Sequence, residues 1–137
     1  MEKTEKRNEI IHIFRKYARL GLDDRDLNPI QTYKKIELCC ISRRARLDMM
    51  AVFDMLRLLE LSGDADTLEA VRYVYFEGKT FRLTKAEISS RVSHVANKTY
   101  CDNRTVYRRL EKARALYEKI RDKEGLILDG PYCDKFV

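Results

Sequence analysis

Three basic side chains recur at regular spacing in residues 101–114, which read CDNRTVYRRLEKAR. Arg104, Arg108 and Lys112 are each four residues apart, so a helix of about 3.6 residues per turn would bring them onto one side. Guanidinium and ammonium groups in such a row attract phosphates, and an arginine can also donate two hydrogen bonds to a guanine base. The spacing therefore predicts a surface that binds a polyanion.

The apolar residues of this segment fall on the other side of the predicted helix. An advance of about 100° per residue from Val106 places four further apolar positions within about 40° of it, namely Leu110, Ala113, Tyr117 and Ile120. The three cations fall at about 160°, 200° and 240°, Thr105 at about 260°, and Glu111 at about 140° on the flank. We therefore expect a buried apolar stripe and an outward basic side.

The positive charge of the chain is concentrated around this segment. The 137 residues carry a formal net charge of +6, and residues 82–123 alone hold twelve Lys or Arg against five Asp or Glu. A localised positive field is typical of proteins that bind nucleic acid. A solubilising helix surface with solvated cations is the alternative that charge alone leaves open.

Composition favours a soluble helical protein. Apolar residues make up 45% and charged residues 36% of the chain, with only five Gly and two Pro. The N-terminus, MEKTEKRNE, is too polar for a signal peptide, and no apolar run approaches the roughly 20 residues that cross a bilayer. We expect a cytoplasmic protein with no membrane partner.

Neither a metal site nor an active site is indicated by the motifs. The cysteines, Cys39, Cys40, Cys101 and Cys133, and the two histidines lack the spacing of metal ligands, so we expect reduced thiols that pack as small apolar residues. No nucleotide-binding loop or hydrolase motif occurs. The sequence therefore predicts no metal, no cofactor and no enzymatic activity.

Periodicity and capping residues predict an all-α fold, a small helical bundle. The predicted helices span Thr4–Leu20, Pro29–Leu61 (as one helix or as two that break near Ser42), Asp66–Glu77, Lys85–Asn97 and Asp102–Lys123. Asn28 precedes Pro29 as an N-cap, and two pairs have capping-box spacing, Asp66 with Glu69 and Thr84 with Glu87. The Met-rich cluster of Met49, Met50, Met55, Leu56 and Leu59 is expected in the core rather than in a partner groove.

Residues 68–121 resemble region four of bacterial sigma factors, and phage regulators of the ArpU and RinA type. The resemblance covers VRYVYFEGKTFRLTKAEISSRV and RTVYRRLEKARALYEKI. The matching positions are Arg72, Tyr75, Phe76, Glu77, Gly78, Glu87, Ile88, Ser89, Thr105, Val106, Arg108, Ala113, Arg114 and Leu116. The connection SHVANKTYCDN is longer than in the family and lacks its glycine-containing turn.

This resemblance implies a C-terminal helix-turn-helix that binds promoter DNA. It divides the chain into an N-terminal helical region, 1–62, that completes the core or supplies a dimer face, a DNA-binding domain, 66–123, and a short C-terminal tail, 124–137. The helix that starts at Asp102 is then the reading helix. The implied contacts to double-stranded DNA come from Arg104, Thr105, Tyr107, Arg108 and Lys112, and we add Lys98 and Lys85.

Two function classes follow. The first is a sequence-specific transcriptional regulator that reads the major groove and recruits or blocks RNA polymerase, with a homodimer as one arrangement. The alternative is a helical module that binds RNA polymerase or a sigma or anti-sigma partner without contacting DNA. A second basic cluster, Arg43, Arg44 and Arg46, is either a solvated surface or a further site for phosphate or polymerase.

Overall fold

The computed structural model describes residues 2–78 and 80–129, and the side chains of residues 3–78 and 80–123. The helices are α1 (Glu2–Arg19), α2 (Pro29–Cys39), α3 (Arg43–Leu61), α4 (Ala65–Val71), a π-helical turn (Arg72–Phe76) that continues α4, α5 (Lys85–Lys98) and α6 (Asn103–Asp129). The described residues contain no strand, so the prediction of an all-α fold is confirmed.

The helical pattern between Pro29 and Leu61 forms two helices rather than one. The N-cap predicted at Asn28 is present and forms part of a capping box: its side chain accepts from the backbone N–H of Gln31, and the Gln31 side chain accepts from the backbone N–H of Asn28. The break follows Cys40, whose backbone is extended, and the Ser42 hydroxyl then accepts from the N–H of Ala45 at 3.0 Å. A side-chain cap at Ser42 therefore starts α3.

One apolar core joins the N-terminal helices to α6. Helix α6 packs along α3 and α4, and α1 packs on the π-helical turn. The predicted stripe of α6 lies at the centre of these contacts, with Val106, Leu110, Ala113 and Tyr117 at most 3% exposed and Ile120 half-buried. The sequence correctly predicts which side of α6 faces inward.

The Met-rich cluster of α3 belongs to the same core. Met49, Met55, Leu56 and Leu59 are buried, and Met50 is half-buried. Among the cysteines, Cys40 packs as predicted, but Cys39 is exposed, so the prediction of buried thiols is wrong there. Cys39 is the last residue of α2, where the helix ends and its side chain is left exposed. Cys133 lies outside the described residues.

Two arginines hold the carbonyl end of the π-helical turn. Arg15 of α1 is 1% exposed, and its Nη1 donates to the carbonyls of Tyr75 (3.0 Å) and Glu77 (2.6 Å). From α5, Arg91 Nη1 donates to the carbonyls of Val74 (3.0 Å) and Glu77 (2.7 Å). The last carbonyls of a helix lack intrahelical donors, and these guanidinium groups supply them. They thereby fix α1 and α5 to the end of this turn.

The start of α4 differs from the prediction. The N-cap is Asp64, whose Oδ1 accepts from the N–H of Thr67 at 3.2 Å, and not Asp66 in a capping box with Glu69. Gly63, at φ +76, ends the preceding turn, and the N-cap of α4 therefore lies two residues before the predicted one. Asp66 therefore lies in the first turn of α4.

Helix α6 is longer than predicted. Its end was expected near Lys123, but it continues to Asp129. A glycine inside a helix costs only about 1 kcal/mol relative to alanine, and the residues around Gly125 are good helix formers. Residues 124–129 of the predicted tail are therefore helical, and the remainder of that tail lies outside the described residues.

Candidate nucleic-acid interface

Helix α5 begins at the predicted capping box. Thr84 Oγ1 accepts from the N–H of Glu87 at 3.1 Å, and Glu87 Oε1 accepts from the N–H of Thr84 at 3.2 Å. The hydrogen bond that the charged carboxylate accepts from the backbone N–H of Thr84 is the main cause that lowers the pKa of Glu87. Val92 and Ala96 of α5 are buried in the core, and the opposite side of the helix is exposed to solvent.

A short turn connects α5 to α6. Because α5 continues to Lys98, only residues 99–102 lie between the helices. The N–H of Tyr100 donates to the carbonyl of Asn97 (3.4 Å), and that of Cys101 donates to the carbonyl of Ala96 (3.0 Å), which is a Schellman ending. Tyr100 has φ +55 and is 97% exposed, so a tyrosine occupies the left-handed position that glycine usually takes.

Asp102 caps α6 as predicted. Its Oδ1 accepts from the backbone N–H of Thr105 at 2.8 Å and from the Thr105 hydroxyl at 2.7 Å. The hydroxyl bond is the main cause that lowers the pKa of Asp102. Thr105 was predicted to contact DNA, but its hydroxyl already donates to Asp102. This hydrogen bond stabilises the start of α6.

Arg104 and Arg108 together are called the outer basic surface of α6. Both side chains are exposed, one helical turn apart, on the side opposite the buried Val106 and Leu110. Within the described part of the chain, neither forms a salt bridge or a hydrogen bond. Their guanidinium groups are therefore available to an anionic partner.

A row of acids on α4 engages the cations on one flank of this surface. The pairs are Lys98–Glu69 (3.3 Å), Arg109–Asp66 (3.7 Å) and Lys112–Asp64. Lys98 and Lys112, both predicted to contact DNA, are thus paired, although their side chains stay 63% and 60% exposed. Exposed ion pairs contribute little free energy, so a phosphate can replace the carboxylate in either pair.

On the other flank, a groove lies between α1 and the C-terminal helices. It has a volume of about 1220 Å³ and is lined in part by Ile11, Arg15, Phe81, Lys85, Tyr107 and Arg114. Tyr107, 43% exposed, and Lys85 therefore line the groove rather than the outer basic surface. The predicted contacts are divided between two sides of α6.

The groove contains residues that sequence periodicity does not single out. Arg114 donates to the Tyr75 hydroxyl at 2.5 Å, and burial raises the pKa of Tyr75 despite the nearby Arg114. Arg15 is the largest side chain in the interior although it is charged. A signal for its burial exists, because Arg15 follows Ile11 by four residues and so lies on the apolar side of α1.

The second basic cluster, at the start of α3, is largely exposed to solvent. Arg43 and Arg44 are exposed, Arg46 is half-buried, and Arg44 pairs with Glu9 at 3.6 Å. Both interpretations of this cluster, a solvated surface and a site for phosphate or polymerase, remain predictions.

The chain matches no protein-family model, and comparisons with curated proteins and with solved structures find no match either. The resemblance to region four of sigma factors therefore rests on the residues named above. In the described residues, no group of three or more His, Cys, Asp or Glu side chains is arranged to hold a metal ion. No helix within the described ranges has both the length and the apolar character to span a membrane.

Proposed function

We propose that this chain is a sequence-specific DNA-binding transcriptional regulator in which α5 and α6 act as a helix-turn-helix. The N-terminal half of α6 enters the major groove, and α5 lies across it as the supporting helix. The observation that carries this proposal is the outer basic surface: Arg104 and Arg108 are exposed and unpaired among the described residues, on the side of α6 that faces away from the core.

The spacing of these two arginines suits the reading of bases. A helix rises about 1.5 Å per residue, so four residues separate the two side chains by about 6 Å along α6. This is close to two base-pair steps of about 3.4 Å each. Each guanidinium can donate to the O6 and N7 atoms of one guanine, which discriminates against other bases by about 1–3 kcal/mol.

Groups around the start of α6 suit contacts to the DNA backbone. Lys98 and Lys112 are exposed on one flank, and Tyr100 extends from the turn with its hydroxyl in solvent. Each phosphate that such a cation neutralises releases bound counterions, so the affinity should fall steeply as salt is added. These contacts position the protein, whereas Arg104 and Arg108 supply the sequence preference.

The role in transcription rests on the resemblance to region four of sigma factors. That resemblance includes Thr105, Val106 and Arg108 in the reading helix, and Arg72 and Tyr75 at the end of the preceding helical segment. A regulator of this type recruits or blocks RNA polymerase from its bound site. Nothing in this role requires a cofactor or an enzymatic step.

Selection of bound duplexes from a random pool tests the proposal. We expect an enriched consensus that contains guanines about two steps apart, and a bound fraction that falls as salt increases. Arg25→Ala is the matched control, since Arg25 is an exposed arginine in the loop between α1 and α2 and should leave the consensus unchanged. No enrichment, and no retention of random duplex at low salt, would contradict the proposal.

A second candidate function is a module that binds a protein partner without contacting DNA. The groove favours it, because a volume of about 1220 Å³ with both apolar and basic lining fits an acidic amphipathic segment. The retention of random duplex at low salt discriminates between the candidates. Retention of the selected duplex that is lost in Arg104→Ala/Arg108→Ala favours the regulator, and no retention of random duplex by the wild-type chain favours the protein module.

A further inference from the structure

Helix α2 has apolar residues on the side that faces solvent. Its inner side packs on α3 through Thr32 and Ile36, which are 1% and 0% exposed. Yet Ile30 is 67% exposed and Leu38 is 86% exposed. Ile41, in the connection that follows α2, is 97% exposed. Single exposed apolar residues are common, but three within twelve residues on one short helix and its end form a patch.

Ile30 and Leu38 share one stripe of α2 with two charges. On a helical wheel that starts at Ile30, Lys34 lies at about 40°, Glu37 at about −20° and Leu38 at about 80°. The buried Ile36 lies at about 240°, on the opposite side. Lys34 and Glu37 are exposed, and neither forms a salt bridge or a hydrogen bond in the portion that the structure describes. The stripe therefore offers an apolar surface with one unpaired charge of each sign.

The order of residues along this stripe, continued to Ile41 just beyond the end of α2, is a palindrome. Ile30 is followed by Lys34 four residues later, then by Glu37 after three, and then by Ile41 after four. If two copies of α2 run antiparallel about a point level with the bond between Lys35 and Ile36, Ile30 at the start of each α2 meets Ile41 just beyond the end of the other. In the same arrangement Lys34 of each copy meets Glu37 of the other. The surface is thus complementary to itself in both apolarity and charge.

We propose that α2 pairs with α2 of a second copy of this chain about a two-fold axis that passes between Lys35 and Ile36. An isologous contact of this kind requires a self-complementary surface, which the palindrome supplies. The charges also select the register. Sliding the axis to Lys34 would place Ile30 against Leu38, but it would bring the two Lys34 ammonium groups together, which is unfavourable. The pairing leaves the outer basic surface of α6 untouched.

Sedimentation equilibrium of the full chain without DNA tests the pairing, which does not depend on the proposed function. We expect a concentration-dependent dimer. Lys34→Glu alone, or Glu37→Lys alone, places like charges opposite each other at two symmetric positions and should raise the dissociation constant by about ten-fold. Mixing these two variants in equal amounts should restore the dimer, because the acidic stripe of one then faces the basic stripe of the other.

Two carboxylate substitutions separate the apolar contact from a general effect of charge. Ile41→Glu should weaken the dimer roughly a hundred-fold or more, because it buries an unpaired charge at the interface. Tyr100→Glu places the same group at a site that is also 97% exposed, but on the turn between α5 and α6, and it should not alter the dissociation constant. Circular dichroism checks that each variant is folded.

Three results would overturn the pairing. The first is a wild-type chain that remains monomeric at all accessible concentrations. The second is a dimer whose dissociation constant is the same after Lys34→Glu or Ile41→Glu, which would place the contact on another face. The third is a mixture of the Lys34→Glu and Glu37→Lys variants that dimerises no better than either variant alone.

Discussion

Arginines in the interior and arginines on the outer side of α6 have the same charge but opposite surroundings. Arg15 is buried against backbone carbonyls, and Arg121 donates to Asp48 at 2.9 Å with both side chains about four-fifths buried. Arg104 and Arg108 are exposed and form no salt bridge or hydrogen bond with the described residues. The position of an arginine on its helix, and the acceptors within its reach, therefore decide whether it stabilises the fold or remains free to bind.

The largest effect is expected from removing both free arginines. Arg104→Ala/Arg108→Ala should lower the affinity for the selected duplex by roughly a hundred- to a thousand-fold, because each arginine is expected to contribute about 1–3 kcal/mol. Thermal stability should change little, since exposed residues without partners rarely matter for folding. Fluorescence anisotropy with labelled duplex measures the affinity. Equal affinity for double variant and wild type would remove the outer basic surface from the interface.

The opposite pattern is expected for the interior arginine. Arg15→Met should reduce the free energy of unfolding by about 3 kcal/mol, because it takes the Arg15 donor away from the buried carbonyl of Tyr75 and leaves the carbonyl of Glu77 with Arg91 alone. Burial lowers the pKa of Arg15, but the guanidinium group of arginine is not deprotonated in proteins, so the lost group is a charged one. Urea denaturation gives the free energy. Lys16→Met, an exposed neighbour on α1, is the control and should have almost no effect.

A smaller, stabilising effect is expected at the turn before α6. Tyr100→Gly should raise the free energy of unfolding by about 1 kcal/mol, because a residue with a Cβ atom is strained at φ +55 and glycine is not. Tyr100→Ala keeps the Cβ atom and should give no such gain. If both variants had the same stability, the backbone at Tyr100 would not be strained in solution. Neither variant changes Arg104 or Arg108, so the two effects are separable.

The smallest effect concerns pH and the flank of α6. The hydrogen bond from Lys112 is the main cause that lowers the pKa of Asp64 below its usual value, and bonds from Thr67 act in the same direction. Because the folded-state pKa lies below the unfolded one, this stabilisation is present above the unfolded pKa. It is lost as the pH falls through the folded pKa. Urea denaturation at a series of acid pH values should show the decline.

A variant without the charge isolates this contribution. Asp64→Asn keeps an oxygen that can cap α4 but has no titrating group. The difference in stability between wild type and Asp64→Asn should therefore shrink as the pH falls through the folded-state pKa of Asp64. A difference that is constant over the whole series would show that Lys112 is not held by Asp64 in solution, and Lys112 would then join the free cations.

The elements of this fold could be predicted from sequence because they depend on neighbours along the chain. The apolar stripe from Val106 to Tyr117 follows from the helical period, and the caps at Asn28, Thr84 and Asp102 follow from residue types at fixed spacing. The division of the chain into a helical region, 1–62, and a DNA-binding domain, 66–123, stays a prediction. The structure adds that α1 and α3 share one core with α6.

The partners of the basic residues could not be predicted in this way. Lys112 and Asp64 are 48 residues apart, and Arg15 and Tyr75 are 60 residues apart. Such contacts depend on how the helices are placed, which no local pattern states. The left-handed backbone conformation at Tyr100 could not be predicted either, because tyrosine is not a residue type that favours it. Sequence therefore locates the cations on α6, whereas the fold decides which of them are occupied.

The carboxylates of α4 have a consequence for the order in which contacts form. Asp64, Asp66 and Glu69 form three ion pairs with Lys112, Arg109 and Lys98 along one edge of the α6 surface. A polyanion that binds along this edge must displace a carboxylate from each cation that it contacts, whereas Arg104 and Arg108 form no ion pair with the described residues that it would have to break. A long anionic partner should therefore contact the two arginines first and the cations of this edge only afterwards.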